Sequence, residues 1–126
     1  MIPKNKFDTN AIVQLQQASK EEVVPILPEL LTWIQDINWP IATEIVNLLR
    51  TYYKETVPYI KNILISDDSI WKYWCLLELI QPMEKNYQLL FYKEVQQLAY
   101  HPSESDKIEE IDIIAREILT NRGGSL

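Results

Sequence analysis

Carboxylates and tryptophans are the residues in this chain whose types and spacing could do chemistry, and they gather at two places. Gln35, Asp36, Asn38 and Trp39 make the first group, and Asp67, Asp68, Trp71 and Lys72 the second. Acidic side chains in such a setting can cap helix termini, offer a charged surface to a partner, or act as the acid and base of a hydrolase. Glu78 is a third candidate. It follows Trp74 by four residues and Trp71 by seven, so on a helix it shares their face, either paired internally or turned to a ligand.

Other constellations are missing from the sequence. The one histidine, His101, precedes Pro102 at a helix end, a place for a C-cap or a solvated ring. The one cysteine, Cys75, lies among Trp74, Leu76 and Leu77, which predicts a buried thiol of low reactivity. One His and one Cys cannot supply a zinc site of the usual ligands, and no Walker loop, dinucleotide fingerprint or nucleophile elbow occurs. Asp36, Asp67, Asp68 and Glu78 could recruit calcium or magnesium through oxygen alone, which would not choose between them. No catalytic residue, resident metal or cofactor is expected.

The elements that position these groups form a repeat. Residues 27–40 line up with 57–71: Pro28 with Pro58, Leu30 with Ile60, Trp33 with Ile63, Asp36 with Asp67, Trp39 with Trp71. Beyond the tryptophans, Ala42, Ile45 and Leu48 fall opposite Trp74, Leu77 and Ile80. A period of roughly 30 to 32 residues is the length of two helices and two turns, the signature of a helical array. In such an array equivalent turns lie along one edge, so the two polar groups would form one surface patch.

Residues 1–7 lack periodicity and read as an arm, 8–120 as one helical domain, and 121–126 as a tail. Asp8 or Thr9 caps a first helix carrying Ile12, Leu15 and Ala18. Ser19 with Glu22 is a capping-box pattern, and Pro25 and Pro28 predict a break before a helix reaching Asp36. Further helices are expected over 40–53, over 57–65 with Thr56 as cap, and over 69–80. The last of these has Lys72 and Glu78 as its only charges and is expected to be the central, mostly buried helix, with Trp74 and Leu77 in the core. Pro82 ends it. A helix over 86–100, a polar turn at 103–106 and an amphipathic last helix from about Lys107 complete the chain; Ile108, Ile111, Ala115 and Ile118 mark the apolar face of that last helix.

Composition narrows the function. At 126 residues and 47% hydrophobic the chain is long enough for one packed domain. Its two glycines, Gly123 and Gly124, leave the first 122 residues without any, which favours helices over hairpins. Net charge is −6, with six basic and seven acidic residues through Ile63, then six against eleven. That balance argues against nucleic acid, which needs a basic stripe, and for a basic protein partner. No apolar run nears the roughly 20 residues of a membrane span and no signal peptide opens the chain, so a cytoplasmic protein without membrane contact is expected.

The stretches from Leu30 to Pro40 and from Asp67 to Trp74 resemble the hallmark segments of a family of small, mostly bacterial, uncharacterised proteins with HEAT-like helical repeats. The similarity runs from Ile2 to Leu119 and includes Lys6-Phe7-Asp8 and the acidic last helix. It implies an all-α, HEAT-like superhelix of about seven helices and no activity to transfer residue by residue. The expected function is a non-enzymatic protein-binding module, in its most concrete form an acidic inhibitor or immunity-type partner of a basic protein. Its partner-binding residues would be Gln35, Asp36, Asn38, Trp39, Asp67, Asp68, Trp71, Lys72 and Glu78. The alternative is a small hydrolase or ligand-binding protein using carboxylates in a tryptophan-lined groove.

Overall fold

The computed structural model describes residues 1–120, which are all-helical with no strand among them. The expected tail at 121–126 lies outside the described residues. Ten α-helical segments, α1 Thr9–Gln17, α2 Lys20–Val23, α3 Leu27–Leu31, α4 Ala42–Arg50, α5 Tyr53–Leu64, α6 Ser69–Trp74, α7 Lys85–Gln88, α8 Tyr92–Tyr100, α9 Glu104–Ile108 and α10 Ile111–Thr120, follow in order. Several join end to end through 3-10 turns, and α6 continues into a π-helical run, Cys75–Ile80. The result is eight continuous helical stretches against about seven expected. The backbone divides into two compact units, residues 1–56 and the part from Val57 onward, with the division inside α5.

In the first unit, local sequence explains most boundaries. Asp8 caps α1 by accepting from the Ala11 amide at 3.2 Å, and Ser19 and Glu22 form the expected capping box on α2. Pro25 does not break the chain's helical path; the backbone tightens to a 3-10 turn over Val24–Ile26 and continues into α3, with Pro28 in its first turn. The buried set is Leu15, Val23, Leu27, Leu30, Leu31, Ile34, Ile41, Ile45 and Leu49, with α4 packed on α3 and α1. The arm is tied at its base, since the Lys4 amide donates to the Asp8 carboxylate at 2.9 Å.

The start of α5 differs from expectation. Thr56 is not an N-cap: the helix begins three residues earlier at Tyr53, and the Thr56 hydroxyl donates back to the Tyr52 and Tyr53 carbonyls, both at 3.0 Å. Pro58 therefore lies inside the helix and not in its first turn.

In the second unit α8 and α10 pack against each other more extensively than any other pair of elements, and α10 also touches α6, α9 and the π run. Phe91, Val95, Leu98 and Ala99 are buried, as are Ile111, Ile114, Ala115 and Ile118 of α10. The α10 helix keeps an exposed outer face at Ile113, Arg116 and Glu117 while its other side packs on these elements. The segment 69–80 is less buried than its composition predicts. Cys75, Leu76, Leu79 and Ile80 are enclosed, whereas Ile70 is 50% exposed and Trp71, Tyr73, Trp74 and Leu77 are half-buried. Buried positions recur four and five residues apart there, which is the spacing a wider π turn brings onto one side, and the Gln81 amide bonds the Leu76 carbonyl five residues back at 2.8 Å. Gln88 closes the end of that run by donating to the Ile80 and Gln81 carbonyls at 3.1 and 3.0 Å.

Candidate functional site

The two polar turns use their carboxylates differently. In the first, Asp36 Oδ1 accepts from the Asn38 amide at 2.9 Å and the Asp36 carbonyl accepts from the Trp39 amide at 3.1 Å, an Asx turn between α3 and α4. Trp39 is half-buried and meets Trp33 edge to face, with ring centroids 5.6 Å apart. Gln35 is half-buried and Asn38 exposed. These four residues, all in the first unit, form one local structure.

In the second turn Asp68 is the N-cap of α6, accepting from the Trp71 amide at 3.1 Å, and its own amide is held by Ser66 Oγ at 3.3 Å. Asp67 is exposed beside it and Trp71 is half-buried. Glu78 lies half-buried in the π run. Lys72 is the departure. Expected on the exposed edge, it is 4% exposed, and its Nζ lies 2.8 Å from Asp106 Oδ1 on α9. Removing an ammonium from water is costly unless a counter-charge and hydrogen bonds meet it, and Asp106 supplies the charge. Lys72 is therefore no part of a surface presented to a partner.

Around that ion pair stands a small buried network. Ser69 Oγ donates to Asp106 Oδ1 at 2.7 Å and lies 2.8 Å from Ser105 Oγ. The Asp106 amide donates to Ser103 Oγ at 3.1 Å, and Asp106 Oδ2 accepts from the Ser103 amide at 3.4 Å, a capping box that starts α9 where the sequence reading placed a turn. Burial pushes the Asp106 carboxyl up, but the bonds from Lys72, Ser69 and the Ser103 amide outweigh it, and the group is held below the usual carboxylate range. Ser69, 5% exposed, and Lys72 both bond Asp106, so this Ser-Asp-Lys arrangement clamps α6 to α9. The Ser103-x-x-Asp106 spacing was the one sequence signal for it.

A second feature of this unit also escaped the sequence reading. Ile70, Tyr73 and Trp74 of α6 and Ile108, Glu109 and Glu110 at the α9–α10 corner line a groove of about 240 Å³. Tyr73 and Trp74 meet edge to face with centroids 5.1 Å apart and an interplanar angle of 83°. Glu110 turns the chain with φ of 59°, the left-handed region that ordinary residues avoid. The expected continuous helix from Lys107 breaks there, because a residue at positive φ cannot continue an α-helix.

Cys75 is buried, and burial, with the Asp68 charge adding to it, pushes its thiol well above the ordinary range, as its apolar neighbours suggested. His101 is the exposed C-cap of α8, its amide bonding the Gln97 carbonyl at 2.8 Å. One Glu94 carboxylate oxygen is enclosed without a hydrogen-bond partner among the described residues, and nothing in the structure explains it. Among the described residues no three His, Cys, Asp or Glu side chains come together to hold a metal ion, and no helix is long and apolar enough to cross a membrane.

The family described as domain of unknown function DUF5071 matches residues 1–119. The chain belongs to that family. The match covers nearly the whole sequence, including both polar turns, the clamp and the groove, so all four lie within the family's domain. No curated protein matches the chain.

Proposed function

We propose that this member of the family is a non-enzymatic protein-binding module of HEAT-like helical repeats, acting as an acidic inhibitor or immunity-type partner of a basic protein. The supporting observation is the groove at α6 and the α9–α10 corner, where exposed isoleucines and half-buried aromatic rings lie beside two acidic side chains. Aromatic anchors within a charged rim are the usual composition of an interface hot spot. Three of the carboxylates have structural work: Asp36 and Asp68 hold turns, and Asp106 is paired with Lys72. The exposed turn residues Asn38 and Asp67, with Gln35, Trp39, Trp71 and Glu78, belong to this proposal as further partner-facing positions.

The test is affinity capture from native lysate with the immobilised chain at low and at raised salt. A single retained protein of basic pI, released as salt screens the charges, is the expected result. Retention of acidic proteins only, or turnover of a substrate by the purified chain that is lost on replacing Asp36, Asp67 or Glu78, would overturn the proposal.

A further inference from the structure

The same groove allows a more specific reading, which rests on the protein-binding role just proposed. We infer that it receives one arginine side chain of the partner, flanked by an apolar residue that covers Ile70 or Ile108. Three observations converge on this occupant. The groove, at about 240 Å³, is smaller than the roughly 300–1,000 Å³ of small-molecule sites, which favours a protruding side chain over a free ligand. Half-buried Trp74, edge to face with Tyr73, is among its lining residues, and indole is the aromatic ring that attracts a cation best. Its rim carries Glu109 and Glu110, neither in an ion pair among the described residues, while the nearby Lys107 lies 3.7 Å from Glu104. A planar guanidinium satisfies both parts at once, stacking on the ring and giving paired N–H groups to a carboxylate, which an ammonium does not.

The apolar requirement comes from the isoleucines. Ile108 is 75% exposed and Ile70 50%, on the two elements that form the groove's sides. Large aliphatic side chains this exposed and this close to an aromatic pair mark a contact surface, and an apolar neighbour of the arginine would remove them from water. Glu110 adds preorganisation. Its left-handed backbone fixes the corner and hence where the two carboxylates start from, so little loop ordering is lost on binding.

The experiment is a titration of the full, isotope-labelled chain with a nine-residue peptide, Ser-Gly-Ser-Leu-Arg-Leu-Ser-Gly-Ser, capped at both ends, followed by amide and indole NMR shifts. The Trp74 indole and the amides of Ile108, Glu109 and Glu110 are expected to shift together and saturably. Replacing the arginine by citrulline, which keeps shape and loses charge, should weaken binding at least about fivefold, or roughly 1 kcal/mol. The double variant Glu109→Gln, Glu110→Asn should do the same and stay folded, since both sites are exposed and Asn tolerates positive φ. Ile108→Ser should cost a smaller factor. Equal binding of the citrulline peptide, tighter binding of a lysine peptide, or shifts only outside the groove would overturn the inference. A captured partner whose affinity ignores the double variant would also overturn it while leaving the protein-binding role standing, and absence of any partner would remove that role.

Discussion

The two polar turns share a sequence pattern and part company in structure. At Asp36 the carboxylate, the amide it accepts from and the tryptophan beside it all come from one run of the chain, residues 33–39. At Asp68 the cap is local too, but one turn further along the helix Lys72 points inward to Asp106, which arrives from 34 positions later in the chain. An alignment of repeats matches positions along the chain. It cannot match roles, because a role such as that of Lys72 depends on which distant element packs against that face.

The sharpest way to break this comparison is to remove one partner of the clamp. Asp106→Ala should destabilise the protein by about 3–5 kcal/mol, since it strands an ammonium in the interior, and chemical denaturation would read it. The paired change Lys72→Met, Asp106→Leu should recover most of that loss, because two apolar side chains of similar volume need no counter-charge. A single-variant effect below about 1 kcal/mol would show that Lys72 reaches water and that the two turns are alike after all.

Acid should separate the turns next. The Asp106 carboxyl is depressed in the folded state, so its contribution to stability is fully present above the unfolded value near 3.8 and is lost as pH falls through the depressed folded value. Stability should therefore fall below about pH 4, and the Asp106→Asn variant, though less stable at neutral pH, should show a flatter fall over that window. An unchanged slope in a pH series of denaturation midpoints would exclude Asp106 as its source.

Smaller effects distinguish the two aspartates as local devices. Asp68→Ala removes the N-cap of α6 and should cost about 1 kcal/mol, while Asp68→Asn should be nearly neutral because both residues cap well. Asp36→Ala opens a turn between helices and should cost less. Smallest of all, Asp67→Asn should leave the denaturation midpoint unmoved, since Asp67 is exposed, and should weaken capture of a basic partner if that side chain faces it.

Much of the helical framework was readable in the chain. Missing glycines before Gly123, the Ser19 and Asp8 caps and the helix expected over 86–100 rest on local signals, and each has its counterpart in the structure, whereas the last helix starts at Ile111, past the break at Glu110, and leaves Ile108 exposed. Where the reading failed, competing local bonds or distant packing had won. Thr56 turned its hydroxyl back to the preceding turn, so α5 could begin early, and Pro25 was absorbed by a tighter helix. The apolar composition of 69–80 suggested burial all round, but composition does not say how many neighbours arrive, and Ile70 and Trp74 were left on a groove wall.

By itself the sequence determined that the described residues are helical and where the polar turns lie, because propensity and capping are decided within a few positions of the residue concerned. Only the tertiary structure decided which side of α6 meets α9. That choice sent Lys72 inside to Asp106 and brought Trp74 together with Ile108, Glu109 and Glu110. Such pairings join residues more than 30 positions apart, and they form where packing brings two helix faces together, which no spacing within either helix encodes.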